Sequence, residues 1–287
     1  MRILLFGANG QVGREFCALE TDHEIIAVTR EEVDLTIAGA AELFIKDKKP
    51  DAVVNAAAYT AVDKAEIETE LAKAINTHAV GEMSLSAKNI SAAFLHISTD
   101  YVFDGEGTAP YQEHDNIQPL NIYGQTKYAG EIAALEGNPT ALVLRTSWVY
   151  SDHGNNFVKT MLQLASERDE LSIVNDQVGG PTPAAAIATA ALQILEHPDR
   201  NTHGGVYHFQ GAPAVSWARF AEEIFRVAGR STNVVKIPSS AYPTPAKRPL
   251  YTVLDCSRIV RDFGIEQPDW RDDIKLLVAR LNAKAGD

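Results

Sequence analysis

A short apolar run over residues 2–6 ends directly in Gly7-Ala8-Asn9-Gly10-Gln11-Val12-Gly13. Five residues are too few for a buried helix, and three glycines at this spacing punctuate the next segment, so the start of the chain reads as strand, tight turn and helix. Glycines allow such a turn to come close to a ligand, and the amides of the helix that it opens favour an anion. The motif is therefore a candidate pyrophosphate site of a dinucleotide-binding unit. Its spacing, Gly-x-x-Gly-x-x-Gly, differs from the Gly-x-Gly-x-x-Gly of many dehydrogenases.

Apolar runs and helical patterns keep alternating through the first half. Strands are expected over 2–6, 25–29, 52–55, 94–98 and 141–145, and helices over 11–19, 38–46, 66–75, 81–89 and 127–135. This order predicts an α/β fold, a Rossmann-type doubly wound parallel sheet. Beyond about residue 150 the rhythm loosens into loops rich in proline and glycine, with helices over 156–166, 217–228 and 271–283. The expected division is a dinucleotide-binding domain over 1–150 and a smaller substrate-binding lobe over 151–287. The alanine-rich segment 184–195 is expected to pack back on the sheet, so part of 184–210 joins the first domain.

Composition narrows the function. Lys and Arg number 26 against 38 Asp and Glu, a net charge of −12 that disfavours nucleic acid or an anionic membrane as partner. No apolar run approaches the roughly 18 residues of a membrane span, and no cleavable leader opens the chain, which predicts a cytoplasmic protein. Two cysteines, Cys17 and Cys256, have no neighbouring Cys/His pair at metal-ligand spacing, so no zinc site is expected.

Two further clusters carry chemistry. The second strand ends at Thr29-Arg30, neutral and cationic, where an acidic residue would bind a free ribose 2′-hydroxyl; this tilts the cofactor toward NADPH, with NADH still usable because Glu31 and Glu32 come next. Tyr123 and Lys127 stand four apart at the start of a helical pattern, on one face. An ammonium beside a phenol of ordinary pKa ~10 favours the phenolate, and the pair makes a proton donor for carbonyl reduction. Ser98 and Thr99 end a strand and offer hydroxyls to the same carbonyl oxygen.

Together, the amino-terminal glycines, the strand-end Ser98-Thr99 and the Tyr123/Lys127 helix resemble the extended short-chain dehydrogenase/reductases. Longer stretches add to the likeness: 55–66, 98–103, 145–150, 154–157, 175–177 and 241–246 with 248–249, so it spans residues 2 to about 255. The resemblance implies Tyr123 as proton donor, Lys127 as its activator and nicotinamide-ribose ligand, and Thr99 as the hydroxyl that orients the keto oxygen. It places Gly10, Gln11 and Val12 at the pyrophosphate, Asp34 and Leu35 at the adenine, and Ala56, Ala57 and Ala58 along the cofactor. Asp100 and Trp148 fall at sugar-contacting positions, and Arg248 and Asn156 are expected near the substrate diphosphate.

The implied activity is NADPH-dependent reduction of the 4-keto group of dTDP-4-dehydro-L-rhamnose to dTDP-L-rhamnose, a step in making cell-surface polysaccharide. Reduction of another nucleotide-linked 4-keto-6-deoxyhexose, or a non-catalytic NADP-binding regulatory subunit, are the alternatives. Asp100 is followed by Tyr101 where related dehydratases carry an acidic pair, which argues against elimination. Some relatives form a magnesium-linked homodimer through acidic residues; Glu15 matches one position and Ala185 departs at another, which leaves the metal open.

Overall fold

The structure, a computed structural model, describes residues 1–286. Its centre is a sheet of six parallel strands: β1 (Arg2–Phe6), β2 (Glu24–Val28), β3 (Ala52–Asn55), β4 (Ala93–Thr99), β5 (Leu142–Thr146) and a last strand, Gly205–His208. They lie in the order Gly205–His208, β5, β4, β3, β1, β2. Every residue of β3 and β5 is buried, as expected of parallel strands covered on both faces. The chain leaves β1 for β2 on one side and returns to β3 on the other. That reversal opens a crevice at the carboxyl ends of β1 and β3, where doubly wound sheets bind ligands. The register lines up the residues that matter: Phe6 beside Val28 and Asn55, Asn55 beside His96, Thr99 beside Thr146.

Helices cover both faces. Phe16 of the Gln11–Cys17 helix and Ile187 and Ala191 of the Ala184–Glu196 helix pack with Ile3 and Leu5 on one face. Ile45, Val80, Met83 and Ala134 pack with Leu4 and Phe6 on the other. A third apolar cluster joins Val158, Phe220, Ile224, Trp270 and Ile274 from helices Phe157–Glu167, Trp217–Val227 and Trp270–Gly286. Burial of each such large side chain is worth roughly 1.5–3 kcal/mol, which is what holds these amphipathic helices together. A parallel pair, Glu170–Val174 with Asn233–Ile237, flanks this cluster, and the sequence pattern does not show it.

Two departures from the sequence expectation bear on the site. The helix expected over 127–135 runs from Ile122 to Gly137, because Asn121 caps it: its Oδ1 accepts from the Gly124 amide at 2.8 Å. The helix expected over 66–75 is broken into Val62–Ala65 and Thr69–Lys73, followed by a π-helical turn, Ala74–His78. Within that turn, buried Asn76 donates to the Tyr59 carbonyl and to Thr126 Oγ1 and accepts from the Tyr59 amide. It thereby ties the loop after β3 to the Ile122–Gly137 helix. Among the described residues, no helix is long and apolar enough to cross a membrane.

Candidate active site

The crevice at the strand reversal is a cleft of about 690 Å³. Its lining includes Gly7, Gly10, Gln11 and Val12 at one end, Thr29, Arg30, Asp34 and Leu35 beside β2, and Ala56, Ala57 and Ala58 after β3. Tyr123 and Lys127 form the far wall. Gly7 has φ +84°, and a Cβ there would stand 2.5 Å from the Ala57 amide nitrogen, so the loop closes only with glycine. Gly13 is not in the lining. Its role is packing, since a Cβ would lie 2.2 Å from the Gly7 carbonyl oxygen. No side chain caps the Gln11–Cys17 helix at Gly10, which leaves its first amides as donors toward the cleft.

At the β2 end the two signs of charge meet. Arg30 is exposed in the cleft wall. Glu32 folds back to accept from the Thr29 amide at 2.8 Å and from its hydroxyl, which holds a carboxylate at the strand end. Asp34 accepts from the Thr36 amide and hydroxyl, and those two bonds hold its carboxyl below the usual carboxylate range, helped by Arg30. One pole of this end can thus meet a phosphate and another repels it.

Tyr123 is half-buried in the cleft wall. Burial pushes its phenol up to about 12, with the Thr99 hydroxyl pulling the other way, so it stays protonated through the neutral range. The ring of Tyr101 stands edge-on to it at 5.7 Å. Thr99 donates to Asp100 Oδ1 at 3.1 Å. The other oxygen of Asp100 is buried with no hydrogen-bond partner, and burial raises this carboxyl to about 7, partly offset by the Thr252 and Thr99 hydroxyls. Thr146 Oγ1, also buried without a partner, belongs to the cleft wall. Buried orphans of this kind suit a ligand that carries hydroxyls.

Lys127 departs from its expected setting. Its Nζ donates to the Ile97 carbonyl at 2.7 Å and meets His96 Nε2 at 3.1 Å. Burial lowers it to about 7, against the pull of Glu131, and it is not among the groups that shift the Tyr123 phenol. Here desolvation dominates both groups. Behind it, Glu131 and Arg145 form a buried ion pair at 2.7 Å, with Ser98 donating to the same carboxylate.

The residues expected at the substrate are more scattered. Trp148, with φ +47°, stacks on Trp217 at 3.4 Å, beside the third apolar cluster. Asn156 caps the Phe157–Glu167 helix through the Lys159 amide and donates to Gln11 Oε1 at 2.9 Å, so it bridges that helix to the glycine loop. Arg248 is in a two-point ion pair with Asp63 and donates to the Ala246 carbonyl, so its guanidinium is already partnered. Thr99, Asp100, Trp148, Asn156 and Arg248 do not line the cleft, whereas Val149, Gly154 and Asn155, which fall in the stretches 145–150 and 154–157 without an assigned role, do. Glu15, Asp152 and His153 bring ligand atoms within 4.8 Å of one another, and Ala185 offers none.

Asn55, Asn76, His96, Glu131 and Thr146 were missed by sequence reasoning. The signal for Asn55 and His96 was a polar residue inside or ending an apolar strand run, since buried polar groups persist only when bonded.

Comparisons with known proteins agree in one direction. The family model described as RmlD substrate binding domain matches residues 1–283. A dTDP-4-dehydrorhamnose reductase of Burkholderia thailandensis is 43% identical, across 98% of this chain and 99% of that protein. The crystal structure of a dTDP-4-dehydrorhamnose reductase from Clostridium acetobutylicum superposes with a TM-score of 0.93 at 39% identity, covering 98% of this chain and 100% of the other. One from Bacillus anthracis, in complex with NADP, gives 0.92 at 33% identity, covering 97% and 99%.

Proposed function

Since the chain belongs to the RmlD substrate binding domain family, alongside the dTDP-4-dehydrorhamnose reductases that it matches end to end, we propose that it reduces the 4-keto group of dTDP-4-dehydro-L-rhamnose with NADPH to give dTDP-L-rhamnose. The observation that carries this reading is that one cleft is lined both by the glycine loop and by Tyr123 and Lys127. The donor set there fits a nicotinamide dinucleotide: open helix amides for the pyrophosphate, small alanines for a flat passage, and Arg30 for a 2′-phosphate. Bound there, NADPH supplies the hydride for the sugar carbon.

The chain's own residues do the rest. Tyr123, protonated by virtue of its burial, gives the carbonyl oxygen its proton as the alkoxide forms. Thr99 holds that oxygen by its hydroxyl, and Asp100, with one oxygen still unbonded, accepts from a neighbouring sugar hydroxyl. Trp148, braced by Trp217, presents an aromatic face to the sugar. Lys127 holds the nicotinamide ribose. Gly10, Gln11 and Val12 hold the pyrophosphate, while Asp34 and Leu35 flank the adenine. Asn156 and Arg248 shape the approach through Gln11 and Asp63.

The test is Tyr123→Phe against wild type, with NADPH oxidation followed on dTDP-4-dehydro-L-rhamnose. Loss of the proton donor cuts kcat by roughly 10²–10⁴ while NADPH affinity holds. Turnover within a few-fold of wild type would remove Tyr123 from the reaction.

A further inference from the structure

The floor beneath the reacting end of the cleft holds a row of buried side chains that the proposed reaction does not use. Ala57, in the cleft wall, donates its amide to Asn55 Oδ1 at 3.0 Å. Asn55 Nδ2 lies 3.1 Å from His96 Nδ1, and His96 Nε2 lies 3.1 Å from Lys127 Nζ. Asn55 and His96 are both fully buried, and Lys127 is nearly so. A row with one fixed end has a fixed direction. A backbone N–H can only donate, so the atom of Asn55 facing Ala57 is the carbonyl oxygen, and the NH₂ faces His96. His96 Nδ1 must then accept, and its single proton sits on Nε2. Burial pushes the imidazole well below its ordinary pKa, so it is not doubly protonated.

The Nε2–H therefore points at Lys127 Nζ, which also donates to the Ile97 carbonyl. An ammonium has no lone pair to receive that proton, whereas an amine has one. From this directed row we propose that Asn55 and His96 are positioning residues that hold Lys127 as an uncharged amine. Lys127 takes up a proton from solvent, Nζ lone pair to N–H bond, only when it leaves His96 for the hydroxyls of a bound dinucleotide. The groups facing Lys127 are consistent with this. His96 comes from β4, Tyr123 and Glu131 come from its own helix, and the pull of Glu131, which is paired with Arg145 of β5 and bonded by Ser98, is outweighed by burial. The inference rests on the dinucleotide reading of the cleft.

Isothermal calorimetry of NADP⁺ binding to the full chain, in buffers of different ionisation enthalpy, reads the proton directly. An amine with a pKa near 7 is about nine-tenths uncharged at pH 8. Binding should take up roughly 0.9 proton per site at pH 8 and roughly 0.1 at pH 6, and Lys127→Met should abolish the uptake. Asn55→Asp keeps the acceptor for Ala57 but also accepts from His96, which moves the ring proton to Nδ1 so that Nε2 accepts from an ammonium; uptake at pH 8 should fall at least about threefold. Nitrogen NMR of the wild type should find the His96 proton on Nε2, and this reading stands even where the Asn55 variant fails to fold. Binding without proton uptake, uptake that survives Lys127→Met, or a proton on Nδ1 overturns the inference alone. Absence of any binding heat and of any saturation would instead overturn the dinucleotide reading.

Discussion

Replacing Asp100 by asparagine should stabilise the protein at neutral pH while damaging its chemistry. Asp100 is 2% exposed, one of its oxygens has no partner, and burial lifts its carboxyl from 3.8 to about 7. Between those two values the unfolded chain has released the proton and the folded chain still holds it. Stability therefore falls as pH rises across that window and levels off above about 7. Some three pKa units at 1.36 kcal/mol each amount to about 4 kcal/mol lost to this one group. The asparagine carries no such cost, but its NH₂ replaces an orphaned oxygen with an orphaned donor, at about 1–3 kcal/mol. The difference between the two proteins is the informative quantity: in urea unfolding, Asp100→Asn gains about 4 kcal/mol on wild type between pH 4 and pH 8, and ends about 1–3 kcal/mol more stable at pH 8. Its turnover with the nucleotide sugar drops at the same time, because an acceptor for a sugar hydroxyl is lost. Parallel pH profiles of stability in the two proteins would refute the buried-carboxyl argument.

Other perturbations separate support from chemistry. Glu131→Ala strands Arg145 in the core and should cost about 3–5 kcal/mol in unfolding free energy. Trp148→Phe should raise KM for the nucleotide sugar severalfold and leave NADPH affinity unchanged; a change in thermal stability alone would make Trp148 a packing residue. Arg30→Ala should lower the NADPH over NADH ratio of kcat/KM by about tenfold, or about 1.4 kcal/mol, a modest effect because Glu32 sits on the neighbouring Thr29.

What the sequence made legible was whatever depends on periodicity and local turn chemistry. The strand over 2–6, the glycine turn and the strand over 52–55 fall where the pattern places them, because unbroken apolar runs between breakers leave little choice. Tyr123 and Lys127 do share the cleft wall, for the same 3.6-residue reason. Long-range bonds between polar side chains left no such trace. Nothing in the spacing of Asn55, His96 and Lys127 says that three elements bring them into one row, nor that Arg248 finds Asp63 across 185 residues. The early start of the Tyr123 helix was missed because the cap, Asn121, lies in a proline-containing loop that reads as irregular. The lowered pKa of Lys127 left no trace either, because it comes from burial, which a sequence does not print.

If this cleft delivers hydride to a keto sugar carbon while Tyr123 protonates the oxygen, the transferred hydrogen can be followed into the product. Incubation of the wild-type protein with NADPH deuterated at nicotinamide C4 and dTDP-4-dehydro-L-rhamnose, with the product read by NMR, tests it most directly. The expected product is dTDP-L-rhamnose with one deuterium at sugar C4 in a single configuration, and almost none in the same time with Tyr123→Phe. NADPH that stays unoxidised with this sugar, or label that appears at any carbon other than C4, would contradict it.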